Sequence, residues 1–298
     1  MEFQPGPVTV RVPASSANLG PGFDALGLAL AWYDEVTVRV SAADTTTTVT
    51  VSGEGAGELP TDDRHLVVRA MDVAFDALGV ARPGLSLHCR NRIPQARGLG
   101  SSAAAVVAGL LAARALVRDG RQRLDDTALL RLAAEVEGHP DNVAACLLGG
   151  LTVAWTSGGQ VRAARLTPAP QVRPVVFVPD QRGLTEAARA ALPERVPHAD
   201  AAHAAGRAAL LVHALTSAPE HLFDATEDRL HQPYRAAGMP DSAALLNRLR
   251  ARGVAAVISG AGPSVLALTP VPPDVAAGPR VSRHELAVDH GGAVVTTG

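Results

Sequence analysis

Apolar and polar residues alternate over Val8–Val12, Glu35–Val40 and Thr46–Ser52, the period of half-buried strands. Arg64–Leu78 switches to helical spacing, and Leu85–Arg90 returns to a strand. An alanine-rich apolar run then predicts a helix from about Ser101 to Leu116. Further helices follow over Thr127–Val136 and a short stretch ended by Gly149 and Gly150, with strands at Leu151–Trp155 and Val161–Leu166. Pro168–Pro174 is rich in proline and marks a boundary between two domains, 1–168 and 169–298. Beyond it the pattern gives a buried strand at Val175–Val178 and a short helix capped by Thr185. Long helices read at Ala199–Leu215, Asp224–Arg235 and Ser242–Ala251, and strands at Gly253–Ile258, Val281–Val288 and Ala293–Thr296. His203, Arg207 and His213 on the first of these helices read as surface or satisfied positions. The mixture of elements makes the fold α/β.

Three loops of small residues interrupt this pattern. Pro94-Gln95-Ala96-Arg97-Gly98-Leu99-Gly100-Ser101-Ser102-Ala103-Ala104 runs from a strand into the alanine-rich helix. Glycines permit positive φ and close backbone approach. A helix starting right after them presents unpaired N–H groups and its positive dipole end, which suits a phosphate. The competing reading is a serine-capped helix and nothing more. Ser16-Ala17-Asn18-Leu19-Gly20-Pro21-Gly22-Phe23-Asp24 sits in an apolar neighbourhood. There, Asn18 and Asp24 are either turn residues or an amide and a carboxylate for a small polar substrate. Ser259-Gly260-Ala261-Gly262-Pro263-Ser264 follows a buried strand, where α/β folds commonly bind ligands. With the first loop it predicts two backbone walls around one ligand, involving Gly260 and Gly262.

A fourth cluster, Glu137-Gly138-His139-Pro140-Asp141-Asn142, breaks two apolar helices with four polar side chains. Asp141 or Asn142 could cap the following helix. A carboxylate opposite a phosphate loop also meets the needs of Mg²⁺, which takes one or two carboxylates plus phosphate oxygens.

Composition narrows the chemistry. All 27 basic residues are arginine. The absence of lysine excludes a Walker P-loop, a pyridoxal Schiff base and any lysine-assisted base. The formal net charge of -2 and the lack of like-charge runs argue against a nucleic-acid surface. The only two cysteines, Cys89 and Cys146, form no CxxC pair, which fits a reducing cytoplasm without disulfides or zinc. Met1–Thr9 has no leader-like pattern, and the longest apolar run is interrupted by Gly109 and Arg114, so no membrane span is expected.

In this order, the Ser-Ser-Ala-Asn-Leu-Gly-Pro-Gly-Phe-Asp loop, the Pro-x-x-x-Gly-Leu-Gly-Ser-Ser-Ala-Ala loop and the Ser-Gly-Ala-Gly-Pro-Ser loop resemble the three motifs of the GHMP kinase superfamily. The first loop, Glu137–Asn142, and Thr185-x-x-x-Arg189 before Leu192-Pro193 are similar to the homoserine kinases within it. The resemblance runs from Val8 to about Leu268.

It implies a two-domain GHMP kinase fold, with an N-terminal domain like domain 2 of ribosomal protein S5 and a ferredoxin-like C-terminal domain. The implied reaction transfers the γ-phosphate of ATP to the hydroxyl of L-homoserine, with Mg²⁺, on the route to threonine. By resemblance, Gly98, Gly100, Ser101 and Ser102 sit on the triphosphate, with Pro94, Arg97, Leu99, Ala103 and Ala104 lining that loop. Ser101 or Ser102 would hold Mg²⁺ with Glu137. Asn18, Asp24, His139, Asn142, Arg189 and Arg235 would surround the amino acid. Asp24 suits its ammonium, and the two arginines suit its carboxylate. Asn142 stands where relatives with a carboxylate base carry aspartate, so alignment rather than a strong base would carry the reaction. His65 and His203 depart from the asparagines usual in the family. A homodimer is compatible with the resemblance but not readable from one chain. A GHMP kinase for another small alcohol would keep the glycine loops, and a non-catalytic member would have lost Glu137 or the serines.

Overall fold

The computed structural model describes residues 3–4, 6–41, 46–183 and 185–298. The segment Met1–Thr9 and the residue before Thr185 thus lie partly outside the described residues.

The first unit contains β1 (Val8–Ala17), β2 (Leu26–Val40), β3 (Thr47–Gly53), α1 (Leu66–Leu78), β4 (Leu85–Asn91) and α2 (Ser101–Leu116). It continues with α3 (Gly120–Arg123), α4 (Asp126–Glu137), α5 (Pro140–Leu148), β5 (Leu151–Ser157) and β6 (Gln160–Leu166). The second holds β7 (Val175–Pro179), α6 (Thr185–Ala190), α7 (His198–Thr216), α8 (Leu222–Ala225), α9 (Gln232–Arg235) and α10 (Pro240–Ala251). It ends with β8 (Ala256–Ile258), β9 (Val265–Ala267), β10 (Val281–Glu285) and β11 (Val294–Thr297).

The first sheet has the order β11-β1-β2-β4-β3, with β5 added to β2 and β6 to β5. β11 comes from the far end of the chain and pairs antiparallel with β1, Val10 opposite Val295. The N-terminal sheet is therefore completed across the boundary expected at residue 168. The second sheet is antiparallel in the order β10-β7-β9-β8. In chain order this is fourth, first, third, second, the arrangement of a ferredoxin-like sheet.

Helices α2, α4 and α5 pack against the large sheet, and α1 packs on α2 and α4. Alanines make this layer thin: Ala103, Ala104, Ala108, Ala112 and Ala113 of α2 are fully buried on several sides of the helix. At Gly109 a methyl group would stand 2.4 Å from the Val67 carbonyl, so glycine is what lets α1 and α2 approach. Burying each large aliphatic of this core contributes about 1.5–3 kcal/mol.

Two strands are much longer than their alternating segments. β1 continues through Pro13–Ala17 to the edge of the first small-residue loop, with a register shift between Pro13 and Ala14. β2 begins at Leu26, and its first five residues are all buried, which removes the alternation. The helix expected over Asp224–Arg235 is two short helices. The Asp228 carboxylate accepts hydrogen bonds from the N–H groups of Leu230, His231 and Gln232, ending one turn and starting the next.

Candidate active site

The alanine-rich helix starts where the two glycines predict. Gly98 and Gly100 have φ of 71° and 70°, and Gly100 is the N-cap of α2 without any side-chain cap. The first intrahelical bond runs from Ala104 N–H to Gly100 O, 2.8 Å. The N–H groups of Ser101, Ser102 and Ala103 are left without intrahelical partners, and the first turn carries no acidic residue. This is a place prepared for an anion. A Cβ at Gly98 would lie 2.2 Å from Ser259 O, and one at Gly100 would lie 2.1 Å from Ser15 Oγ. Both glycines are required by packing as well as by φ.

The three small-residue loops are joined to one another. Ser259 Oγ lies 2.6 Å from Gly98 O and 2.8 Å from Ser16 Oγ, and Gly260 N–H donates to Ala17 O at 3.1 Å. Ser15 N–H donates to Leu99 O, and Ser264 N–H to Arg97 O. The Ser259–Ser264 loop thus packs directly against Gly98, in place of the opposed walls the sequence suggests, and Gly260 and Gly262 back the Gly98–Gly100 turn. Arg97 gives its guanidinium to the carbonyls of Gln95, Pro179 and Asp180, so its side chain ties the loop to the end of β7. Leu99, Ala103 and Ala104 are buried. Just before Pro94, the buried Asp34 carboxylate accepts from the N–H groups of Arg92 and Ile93, fixing the exit from β4. Burial pushes its pKa up to about 6.

Ser102 Oγ donates to Glu137 Oε2 at 2.8 Å. Glu137 ends α4, where Gly138 turns the chain with φ of 86°. Burial raises the Glu137 pKa, opposed by the Ser102 bond, and no arginine pairs with this carboxylate among the described residues. A half-buried carboxylate with only a neutral hydroxyl partner, beside an anion-ready helix end, fits a divalent cation shared with phosphate. Among the described residues there is no cluster of three or more His, Cys, Asp or Glu side chains able to hold a metal unaided. Ser101 makes no hydrogen bond to Glu137, so Ser102 is the serine that the geometry joins to the carboxylate.

The remaining candidates gather next to this point. Asn142, in the first turn of α5, accepts a hydrogen bond at Oδ1 from Ser15 Oγ, 2.9 Å. A Cβ at Gly100 would be 3.2 Å from that same Oδ1, so Asn142 adjoins the Gly98–Gly100 turn. Asp141 is 2 % exposed and accepts from Asn142 N–H at 2.7 Å. Burial drives its pKa up to about 7, with the charges of Asp24 and Glu137 adding to the rise. His139 is the N-cap residue of α5. Its pKa is lowered by burial and then by Arg189, and is also touched by the charges of Asp24 and Arg235. These groups share one site.

Asn18 has φ of 67° and uses both ends of its amide within the protein: Nδ2 donates to Gly260 O, and Oδ1 accepts from Asp24 N–H. It holds the turn that presents Asp24. Arg189 Nη2 donates to both oxygens of Asp24, and the two arginines flank one ring. Their guanidinium carbons lie 5.6 Å (Arg189) and 5.4 Å (Arg235) from the centre of Phe23. Burial, then the charge of Arg189, presses the Arg235 pKa down, against the opposing charges of Asp24, Asp228 and Asp141. Sequence reasoning did not single out Phe23. Its only signal is a lone aromatic between Gly22 and Asp24. His65, in place of the usual asparagine, caps α1 by accepting Val67 N–H at Nδ1.

Residues 65–150 match the family of GHMP kinase N-terminal domains, and residues 206–278 match the GHMP kinase C-terminal family. A homoserine kinase from Streptomyces avermitilis is 60% identical over 281 residues, covering 94% of this chain and 90% of that protein. The chain belongs to the homoserine kinase family of the GHMP kinases. Another member, from Mycolicibacterium smegmatis, is 53% identical over 269 residues, 88% of this chain and 84% of its own length. The solved homoserine kinase from Cytophaga hutchinsonii superposes with a TM-score of 0.81 at 26% identity, over 99% of this chain and 100% of that one. Mevalonate diphosphate decarboxylase from Staphylococcus aureus shares the fold at a TM-score of 0.67 and 16% identity, each chain covered to 98%. The two-domain GHMP kinase fold of this homoserine kinase family member agrees with both sheets described above.

Proposed function

We propose that the chain transfers the γ-phosphate of ATP to the side-chain hydroxyl of L-homoserine, giving O-phospho-L-homoserine and ADP. One observation carries this reading. Asn142, on the amino-acid side, and Gly100, in the phosphate loop, meet across Ser15, so acceptor and triphosphate converge on one point.

The free N–H groups at the start of α2 receive the β- and γ-phosphates, and the Gly98–Gly100 backbone lies close enough to line them. Mg²⁺, held by Glu137 and Ser102 Oγ, would neutralise charge on the phosphate oxygens. Asp24 takes the substrate ammonium, and Arg189 and Arg235 take its carboxylate in charge-assisted hydrogen bonds. Asn18 acts through Asp24. Asn142, whose Oδ1 is occupied by Ser15, keeps its Nδ2 donor for the reacting hydroxyl or the transferred phosphoryl oxygen. The homoserine oxygen attacks the γ-phosphorus, the bond to the β-γ bridging oxygen breaks, and ADP leaves. The hydroxyl proton passes to a phosphoryl oxygen, since no strong base stands at this position. Alignment and charge neutralisation supply most of the acceleration for such a transfer.

The protein acts in the cytoplasm; no helix among the described residues is long and apolar enough to cross a membrane, and both cysteines are free and buried. The two functional units are residues 1–168 and 169–298, β11 returning to the first. ADP release by purified protein with Mg²⁺, measured with and without L-homoserine, tests the reading. Homoserine-dependent release with a phosphorylated amino acid in the mass spectrum supports it, and release indifferent to homoserine overturns it.

A further inference from the structure

His231 lies behind the proposed homoserine site and is fully buried, and both of its ring nitrogens are committed. Nε2 lies 2.9 Å from Gly20 O, and Nδ1 lies 3.1 Å from Arg235 Nη1. A carbonyl can only accept and a guanidinium can only donate, so the tautomer follows. Nε2 carries the proton and donates to Gly20, and Nδ1 is an acceptor aimed at Arg235. The Phe23 ring lies against the imidazole, centroids 5.2 Å apart.

We propose that His231 is a positioning residue for the substrate carboxylate, fixing the rotamer of Arg235 through its Nδ1 acceptor. The inference rests on the reading that Arg235 binds the carboxylate of homoserine. Arg235 sits one helical turn on from His231, four residues away, where side chains meet. Its Nε donates to Ala188 O and its Nη1 to His231 and Gly260 O, at 3.0, 3.1 and 3.4 Å. Among the described residues Nη2 makes no hydrogen bond, and it is the donor left for a ligand. With Nε and Nη1 both committed to acceptors, Nη2 between them is the nitrogen that the guanidinium presents.

The imidazole must be neutral to do this, because a proton on Nδ1 would set a donor and a positive charge against Arg235. Burial holds the His231 pKa down, and Arg235 lowers it further; Asp228 and Asp24 pull the other way. His231 also links the two parts of the pocket. Through Gly20 it holds the loop that carries Phe23 and Asp24, and through Arg235 it holds α9.

Two conservative substitutions separate this role from simple packing. His231→Gln keeps a donor at the Nε2 position for Gly20 but has no acceptor at the Nδ1 position. His231→Asn keeps an acceptor near Nδ1 for Arg235 and loses the Gly20 bond. The structure assigns the larger effect to His231→Gln: a rise of about ten- to hundredfold in the KM for homoserine, with the KM for ATP and the melting temperature near wild type. His231→Asn should keep a homoserine KM within a few-fold of wild type. The reverse order, or equal effects on both substrates, overturns the inference. If His231→Gln fails to fold, His231→Asn decides alone: a near-wild-type homoserine KM supports the inference, and a large rise refutes it. Arg235→Gln, measured alongside, separates the two layers. If it leaves the homoserine KM unchanged, the carboxylate reading falls and the inference with it. If it raises that KM while His231→Gln does not, only the role of His231 is lost.

Discussion

Arg189 Nη2 stands 2.9 and 3.1 Å from the two oxygens of Asp24, so the groups proposed for the two ends of an amino acid are paired with each other. Both side chains remain partly exposed. A zwitterion entering here must open this pair and replace each half with its own charge: ammonium on Asp24, carboxylate on Arg189 and Arg235. A ligand with only one charge leaves the other half uncompensated. Homoserine analogues lacking either the amino or the carboxyl group are therefore expected to lose more than tenfold in kcat/KM. Arg189→Ala should raise the KM for homoserine about ten- to hundredfold and leave that for ATP nearly unchanged, since a charged hydrogen-bonding pair is lost on one substrate only. Steady-state kinetics varying each substrate in turn checks both, and a change confined to ATP would move Arg189 to the other subsite.

The phosphate loop gives a sharper steric prediction. Gly100 combines φ of 70° with a hypothetical Cβ only 2.1 Å from Ser15 Oγ. Gly100→Ala should already cost about 1–2 kcal/mol for the left-handed backbone. Gly100→Val should abolish ATP turnover, because Ser15 and Asn142 must both move. Nucleotide binding by calorimetry, alongside melting curves, distinguishes a lost site from a lost fold.

Glu137 and Ser102 are expected to govern the dependence on metal. Glu137→Gln should lower kcat at least a hundredfold and raise the Mg²⁺ concentration needed for half-maximal rate. Ser102→Ala should do so more weakly, and Ser101→Ala least of all. Chelation should stop turnover and added Mg²⁺ should restore it. Equal effects of the two serine substitutions would detach the metal from the Ser102–Glu137 pair.

Asp141 predicts a pH effect on stability. Its folded pKa is about 7 against an ordinary value of 3.8, so between those limits the folded state holds the proton that the unfolded chain has released. Stability falls as pH rises through that window, and the cost, at most about 4 kcal/mol, is complete above it. Asp141→Asn retains an acceptor for Asn142 N–H and removes the ionisation. Its melting temperature should exceed wild type at pH 8, with the difference shrinking toward pH 4. A constant offset across that range would assign the effect to packing alone.

How much of this was legible in the chain depends on whether the information is local. The start of α2 was, because Gly98, Gly100 and an unbroken alanine run dictate it through φ and propensity. The candidate residues at 24, 137, 139, 142, 189 and 235 were legible through motif order, and the fold gathers them. The continuation of β1 past Pro13 was not: small residues buried on both faces, Ser15 and Ser16 among them, carry no alternation. Nor was the pairing of β11 with β1, a contact between chain ends. Arg97 and Asn18 were legible as loop residues, but their partners are carbonyls and an amide brought in by other segments. His231 showed only its four-residue spacing to Arg235, which means little until both are known to be buried.

The acceptor decides the account. Phosphoryl transfer from ATP with Mg²⁺ should be measured in parallel with L-homoserine, L-serine, L-threonine and mevalonate, with the product identified by mass spectrometry. The site described here predicts the highest kcat/KM with L-homoserine and O-phospho-L-homoserine as the product. Turnover with another of these alcohols in its place would contradict the assignment of Asp24, Arg189 and Arg235 to the homoserine zwitterion.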